Sequence, residues 1–162
     1  RVFHEVYGFK TVCLRYFNVY GPRQTPGPYS GVISIFTQRL LMNKPPIIYG
    51  DGEQMRDFTY VKDVVKANLL ALSNKKAAGG VFNIATGKPT TINRLADVLI
   101  RTTGKSDLKP IHAKPRPGDI MRSYADITKA KKVLEYLPEV SLEEGLSEFV
   151  EWYKTTLNRF ES

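Results

Sequence analysis

Residues 11–24, TVCLRYFNVYGPRQ, contain the junction on which the fold prediction depends. Residues 11–16 are mostly β-branched or apolar and predict a buried strand. The segment 21–31 follows, where three prolines block regular structure and predict a long loop. Ligands of open α/β sheets bind beyond the carboxyl ends of strands, so the residues that follow this strand, Asn18 above all, are candidate ligand contacts.

Strand and helix patterns alternate along the rest of the chain and predict an α/β fold. A helix is predicted over 32–42, with Ser30 as its candidate cap. Thr90 or Thr91 is the candidate cap of a helix that Gly104 ends. The other predictions are strands at 47–49, 81–84 and 110–111, and helices after Val61, after Asp126 and after the Ser141–Glu144 capping-box pattern.

The chain opens with the pattern of an amphipathic helix already under way. Val2, Phe3, Val6 and Tyr7 recur at helical spacing directly after Arg1. The predicted helices also outnumber what one short sheet needs. Both observations predict a truncated chain whose missing half supplies more of the sheet.

Composition narrows the classes of function. The net charge is +8 with 42% hydrophobic residues, and no nucleic-acid motif accompanies the basic residues, so anionic small molecules are the expected partners and nucleic acid is not. We see no apolar run of about 18 residues and no leader pattern, so we expect no membrane segment and a cytoplasmic location. The single cysteine, Cys13, fits a reducing compartment, and its apolar strand predicts a buried, inert thiol.

Several motifs of catalysis are absent from the sequence. It has no Gly-x-Gly-x-x-Gly turn, no phosphate-binding Gly-x-x-x-x-Gly-Lys-Ser/Thr loop and no Tyr-x-x-x-Lys pair. His4 and His112 are far apart and lack companions with metal-ligand spacing. We therefore predict no metal site and no catalytic residue within these 162 residues.

Four segments carry a resemblance to a known family. They are LRYFNVYGPRQ at 14–24, IYGDGEQMRDF at 48–58, YVKDV at 60–64 and RPGD at 116–119. In this order and spacing they resemble the C-terminal half of the extended short-chain dehydrogenase/reductases, the NAD-dependent epimerases and dehydratases. Within that family they look most like UDP-glucose, UDP-galactose and UDP-N-acetylglucosamine 4-epimerases.

The resemblance implies a Rossmann-type fold that this chain completes only in part. Residues 1–24 are expected to be the tail of the NAD-binding half, and residues 25–162 to form a nucleotide-sugar-binding domain of short strands and several helices. NAD would be bound mainly by the missing half, which would also carry a catalytic Ser/Thr–Tyr–Lys group. The full-length protein is expected to be a homodimer that inverts C4 of a UDP-sugar by transient oxidation.

The family's pattern assigns substrate contacts to polar residues of the four segments. Arg56 and Arg116 match the positions that bind the phosphates, and guanidinium groups suit phosphate oxygens. Asp119 matches the acceptor of the ribose hydroxyl groups. Asn18 matches a contact to the diphosphate or the sugar.

Less polar positions receive roles by the same resemblance. Ile47 and Tyr49 match the strand that frames the uracil ring, and Val32 matches a backbone contact to the diphosphate at a helix start. Tyr16 and Phe17 match residues near the nicotinamide of NAD. Asp57 and Asp63 are expected to serve structure through capping and turn hydrogen bonds.

Ser123 matches the position that closes the sugar pocket beside the C2 substituent. A serine there leaves room for an N-acetyl group, so tolerance of UDP-N-acetylhexosamines is expected beside UDP-glucose and UDP-galactose. The alternatives are a nucleotide-sugar 4,6-dehydratase or decarboxylase of the same family, or a non-catalytic UDP-sugar-binding fragment. In isolation the chain is expected to be inactive.

Overall fold

The computed structural model describes residues 1–24 and 31–158, in which short strands alternate with helices. The helices are α1 (Val2–Tyr7), α2 (Val32–Leu41), α3 (Val61–Ser73), α4 (Ile92–Thr103), α5 (Thr128–Leu134) and α6 (Leu142–Asn158), with a 3-10 turn at Lys75–Ala77. The strands are β1 (Cys13–Tyr16), β2 (Val19–Tyr20), β3 (Ile47–Tyr49), β4 (Met55–Arg56), β5 (Thr59–Tyr60), β6 (Val81–Ile84), β7 (Thr90–Thr91), β8 (Ile111–Ala113) and β9 (Arg122–Ser123).

The strands pair across long stretches of sequence, and most pairs are parallel. β1 pairs with β6, β2 with β5, and β3 with β8. β4 lies between β7, its antiparallel neighbour, and β9, which runs parallel to it. Parallel pairing between distant segments is typical of α/β proteins, so the fold class expected from the sequence is confirmed.

The local sequence explains where the longer helices begin and end. The Thr91 hydroxyl accepts a hydrogen bond from the Arg94 N–H at the start of α4, and Gly104 ends this helix in the left-handed conformation. At the start of α6, the Ser141 and Glu144 side chains each accept a bond from the other residue's backbone N–H. Asp126 accepts a bond from the Thr128 N–H at the start of α5.

Two apolar cores hold these elements together. The larger lies between α2, α4 and α6, where Phe36, Leu99 and Phe149 are buried. The second lies between α3, α5 and β6, with Phe82 and Leu134 at its centre. Because the first core fixes α2 and α4 against β3, it also fixes one wall of the cavity described below.

Two predictions about the first strand are wrong. The strand covers Cys13–Tyr16 in place of residues 11–16, and Cys13, Arg15 and Tyr16 are exposed. The Cys13 thiol is therefore exposed as well, not buried. For Cys13 and Arg15 the physical reason is that, within residues 1–24 and 31–158, the second core packs on the opposite face of β1, where Leu14 lies.

Other differences concern α2 and α3. The N-cap of α2 is Gly31, and the proposed cap Ser30 lies outside the described residues. In α3, Val64, Ala67 and Ala71 face the core, whereas the apolar positions Val65, Leu69 and Leu72 are exposed. Across the two described segments, no helix has both the length and the apolar character that a bilayer span requires.

Candidate functional site

A cavity opens between β3, the start of α2 and the strand β4. Of the ten residues predicted to bind cofactor or substrate, these line it: Asn18, Val32, Ile47, Tyr49, Arg56, Arg116 and Asp119. The other three, Tyr16, Phe17 and Ser123, do not line it. The fold therefore brings together the residues to which the resemblance gave nucleotide-binding roles.

Two strand pairings bring the loop between β8 and β9 to the cavity. Tyr49 is in register with Ala113, so Arg116, three residues further on, lies beside the end of β3. Arg56 is in register with Ser123, so Asp119, four residues earlier, lies beside β4. This loop thus brings one cation, Arg116, and one anion, Asp119, to the same cavity.

Arg56 and Asp119 form a partly buried ion pair. The Arg56 Nη2 atom lies 2.8 Å from Asp119 Oδ1, with 17% of the arginine side chain and 32% of the aspartate side chain exposed. The Arg56 Nη1 atom also donates to the carbonyl oxygens of Met55 and Ile120. Because these acceptors fix the plane of the guanidinium, its position in the cavity wall is set before a ligand binds.

The Arg116 guanidinium stacks on the Tyr49 ring. Its central carbon lies 3.7 Å from the ring centroid, within cation–π range. The backbone N–H of Asp119 donates to the Arg116 carbonyl at 3.2 Å, which closes the turn between these two residues. Arg116 therefore joins an aromatic surface to a positive charge at one edge of the cavity.

Asn18 lies in the turn between β1 and β2, with a φ of 36°. Asparagine tolerates this left-handed region better than most residues. Its amide nitrogen donates to the Asp57 carbonyl at 3.3 Å, and its own carbonyl accepts from the Thr59 N–H at the same distance. The Asp57 carboxylate, fully buried, accepts bonds from Thr86 and from the Gly87 N–H, which agrees with its expected structural role.

Val32 and Ile47 contribute the apolar side of the cavity. Val32 is the first residue of α2, and the N-cap Gly31 offers no side chain to the first-turn N–H groups. The N-terminus of a helix attracts anions through these N–H groups and the helix dipole. Ile47 begins β3, whose middle residue Ile48 is buried in the first core. Ile48 thus anchors this wall to the first core, and the wall suits the flat face of a base together with a neighbouring anion.

The three predicted residues outside the cavity have other surroundings. The Tyr16 hydroxyl donates to Asn68 Oδ1 at 3.0 Å, and 49% of the residue is exposed. Phe17 packs against a small cluster of Ala85, Ala125 and Ile127. Ser123 is half-buried on β9, and its carbonyl accepts the Asp57 N–H at 3.1 Å.

Other residues line the cavity that the sequence did not single out, above all Gln24 and Gln54. Gln54 lies between the Gly50–Gly52 turn and Arg56, so its place beside two predicted contacts was a usable signal. Tyr20 also lines the cavity, and burial is the main cause that raises the pKa of its phenol, with nearby acidic groups adding to the effect. The Tyr20 hydroxyl therefore stays protonated, and it donates to the Leu142 carbonyl at 3.4 Å.

A second tyrosine, Tyr60, links the first core to a surface ion pair. Its hydroxyl donates to Glu148 at 2.7 Å, and Lys62 also binds this carboxylate. Burial first, and then the hydrogen bond to Glu148, raise the pKa of Tyr60. Conversely, the bonds from Lys62 and Tyr60 lower the pKa of Glu148. This network ties α6 to the start of α3 behind the cavity.

Sites for NAD and for a metal ion each require recognisable groups. The glycine-rich turn that cradles a dinucleotide is absent from the sequence, and Tyr16 and Phe17 could form only an edge of such a site at the end of β1. In the described part of the chain, no three His, Cys, Asp or Glu side chains come together as metal ligands. The chemistry of the cavity suits a ligand that carries an anionic group, a flat ring and hydroxyl groups.

Two named proteins of similar sequence indicate the family. The chain is 46% identical over 154 residues to a putative UDP-glucose 4-epimerase of Methanocaldococcus jannaschii, which covers 95% of this chain and 49% of that protein. It is 35% identical over 161 residues to a UDP-N-acetyl-alpha-D-glucosaminuronate decarboxylase of Bacillus cytotoxicus, which covers 96% of this chain and 50% of that protein. The chain thus spans about half the length of these relatives.

A solved structure and a family match agree with these relatives. The structure of a UDP-glucose 4-epimerase of Thermotoga maritima with UDP-glucose superposes with a TM-score of 0.90 at 50% identity, and covers 96% of this chain and 49% of that one. Its likeness confirms the Rossmann-type α/β fold. Residues 1–85, more than half of the chain, match the NAD dependent epimerase/dehydratase family. On this match and these likenesses, the chain belongs to the NAD dependent epimerase/dehydratase family, among the extended short-chain dehydrogenase/reductases.

Proposed function

We propose that this chain is the UDP-sugar-binding portion of a nucleotide-sugar 4-epimerase that inverts C4 by transient, NAD-dependent oxidation. One observation carries the proposal: four residues from two distant segments, Tyr49 and Arg56 in 48–58 and Arg116 and Asp119 in 116–119, converge on a single cavity. Two guanidinium groups, a carboxylate and an aromatic ring together match the diphosphate, the ribose and the base of a nucleoside diphosphate.

Each part of the nucleotide has a partner in this proposal. Arg56 and Arg116 bind the phosphates, and Asp119 accepts hydrogen bonds from the ribose hydroxyl groups. Tyr49 and Ile47 frame the uracil. The start of α2 at Val32 and the Asn18 amide bind the diphosphate or the adjoining sugar. Binding energy from the unreacting nucleotide would then hold the sugar through the reaction.

The two parts of the chain have different roles in the proposed protein. Residues 25–162 bind the nucleotide-sugar, and residues 1–24 form the tail of an NAD-binding half. NAD supplies the hydride chemistry when it is bound. The other half of the full-length protein, which this chain does not include, would hold most of the cofactor, and Tyr16 and Phe17 would lie at the edge of that site. The full-length protein is proposed to be a homodimer in the cytoplasm.

The decarboxylase among the relatives supports a second candidate. A decarboxylase or a dehydratase of the same family would use the same grip on the nucleotide and differ at the groups that act on the sugar. The cavity residues described above bind the part of the substrate that these reactions share. Product analysis of the full-length protein with UDP-glucose and with a UDP-uronate therefore separates the candidates, since only an epimerase returns the C4 epimer of UDP-glucose.

The binding role is tested by titrating UDP into the protein and its Arg116→Met variant in a calorimeter. Because a hydrogen bond to a charged group contributes about 1.5–3 kcal/mol, the variant should bind UDP roughly 10–100-fold more weakly. The same substitution should weaken the binding of uridine, which lacks the phosphates, much less. The matched control is Arg94→Met, an exposed arginine paired with Glu143 outside the cavity, which should bind UDP like the wild type.

The result that contradicts the proposal is an Arg116→Met variant with unchanged UDP affinity, or a wild type that does not distinguish UDP from uridine. The 162-residue chain by itself is expected to show no turnover of UDP-glucose. Turnover by this chain in a coupled assay would place the catalytic groups within it.

A further inference from the structure

Gln54 has a side-chain orientation that the structure leaves no freedom to reverse. Its Nε2 atom donates to the Tyr49 carbonyl at 2.5 Å and to Asp119 Oδ2 at 3.2 Å, and only 5% of the residue is exposed. Both partners are acceptors, so the amide nitrogen must face them. Its Oε1 atom is left buried without a hydrogen-bond partner among the described residues, a cost that the two donated bonds offset.

These bonds make Gln54 part of a closed circuit of contacts. Gln54 joins the Tyr49 carbonyl to the Asp119 carboxylate, the Asp119 N–H joins the Arg116 carbonyl, and the Arg116 guanidinium returns to the Tyr49 ring. The circuit ties together the end of β3, the segment before β4 and the loop between β8 and β9. Within it, Gln54 is the link between Tyr49 and Asp119.

The Asp119 carboxylate is gripped at both of its oxygens. Arg56 binds Oδ1 at 2.8 Å and Gln54 binds Oδ2 at 3.2 Å. Two donors on different oxygens fix the rotation of the carboxylate plane. Each carboxylate oxygen has about two lone-pair sites, so one remains on each for a ligand donor. A fixed carboxylate with two free acceptor sites matches a pair of neighbouring hydroxyl groups.

We propose that Gln54 is a positioning residue that sets the Asp119 carboxylate for the ribose hydroxyl groups and links this contact to the base-framing strand β3. The inference rests on the proposed function, because it takes Asp119 as the ribose acceptor. It adds a residue and a specificity: Gln54 gives the protein its preference for a ribonucleotide over a 2′-deoxyribonucleotide.

Two substitutions separate positioning from packing. Gln54→Met keeps the length and the burial of the side chain but removes both donated bonds. Gln54→Glu places a second acceptor against Asp119 Oδ2 and the Tyr49 carbonyl, so it should act in the same direction and more strongly. The control is Gln38→Met on α2, which makes the same exchange at a half-buried position that does not line the cavity.

The experiment titrates UDP and 2′-deoxy-UDP into each protein. The wild type is expected to prefer UDP by about tenfold, the worth of one well-placed hydrogen bond. Gln54→Met should lose about tenfold in affinity for UDP and little for 2′-deoxy-UDP, which removes the preference. Asp119→Asn should also remove it, and adding Gln54→Met to that variant should cost little more, because both changes act through one carboxylate. Gln38→Met should match the wild type.

Two results would overturn the role of Gln54 and leave the proposed function intact. One is an equal loss of affinity for UDP and for 2′-deoxy-UDP in Gln54→Met, which would make Gln54 a structural residue only. The other is an unchanged preference for UDP in that variant. A wild type that binds neither nucleotide would overturn the proposed function and this inference together.

Discussion

At the scale of single residues, the cavity depends on side chains that are distant in sequence. Arg56 and Asp119 are 63 positions apart, and Gln54 and Asp119 are 65 apart, yet each pair is in hydrogen-bond contact. The acceptors around the Arg56 guanidinium and the donors around the Asp119 carboxylate hold both groups in place. Little reorganisation is then needed when a ligand binds, and this lowers the entropic cost of binding.

Ser123 carries the prediction on sugar specificity. It is half-buried on β9 next to Arg56 and does not line the cavity. If Ser123 closes the sugar pocket, Ser123→Tyr in the full-length protein should reduce turnover of UDP-N-acetylglucosamine at least tenfold. Turnover of UDP-glucose should stay within about twofold, because one added ring fills the space of an acetamido group. Initial rates with both substrates measure this.

Ser123→Ala is the control, and it should keep both activities since it leaves the pocket open. Equal rates with the two substrates in Ser123→Tyr would show that another residue limits the sugar pocket.

Single residues also show what the sequence could and could not predict. Arg56, Arg116 and Asp119 received their roles from the resemblance of their short motifs to the family's pattern, and their residue types are compatible with binding a nucleotide. Gln54 lies between Tyr49 and Arg56 in the same motif, a usable signal of its place in the cavity, but its contact with Asp119, 65 residues away, needed the structure. Cys13 was assigned wrongly, since an apolar strand does not reveal which of its faces the chain itself covers.

At the scale of the elements, local chemistry set the helix ends well. α4 begins after Thr91 and ends at Gly104, as predicted, and the Ser141–Glu144 capping box begins α6. Strands of two residues, such as β4 and β9, could not be predicted because they are too short to show alternation. Their pairing depends on tertiary contacts, and it is this pairing that brings Asp119 to Arg56.

The capping box gives a prediction with a defined pH dependence. Hydrogen bonds from Ser141 lower the pKa of Glu144 below its ordinary value. Their stabilising effect is therefore present at neutral pH, above the pKa that Glu144 has in the unfolded chain. It is lost as the pH falls through the lower pKa that Glu144 has in the folded state. Ser141→Ala should raise the Glu144 pKa toward its ordinary value and lower the thermal midpoint at pH 7 by about 3 °C.

Titration of the Glu144 carboxyl by NMR and thermal unfolding at neutral and acidic pH measure these effects. The difference in midpoint between variant and wild type should shrink in acid. Ser147→Ala, at an exposed position in the middle of α6, is the control and should not lower the midpoint, because alanine favours helix. An unchanged Glu144 pKa in Ser141→Ala would contradict the role of the capping box.

At the scale of the whole molecule, apolar surface remains open on two helices. On α1, Phe3 and Val6 are 60% and 64% exposed, and on α3, Leu69 and Leu72 are 61% and 86% exposed. The relatives are about twice as long as this chain, and we propose that their additional half covers the equivalent surface. The division of the chain at residues 24 and 25 likewise stays a prediction.

The open face of α3 should make the 162-residue chain associate with itself. Replacing Leu69 and Leu72 by lysine should shift sedimentation at micromolar concentration toward the monomer, because charges oppose burial of this face. The control changes the charge equally at exposed polar positions, with Ser106→Lys and Thr155→Lys. Association that is the same in both double variants would assign self-contact to another surface.

The ion pair between Arg56 and Asp119 also governs how a ligand approaches. Among the described residues that line the cavity, the charged ones are two arginines and one aspartate, which leaves a net charge of one. The pair therefore lowers the attraction that the cavity lining exerts on an incoming dianion, and the rest of the +8 chain supplies the long-range attraction. Added salt should reduce the association rate by screening these distant charges, while discrimination between nucleotides lies in the dissociation rate of the correct one.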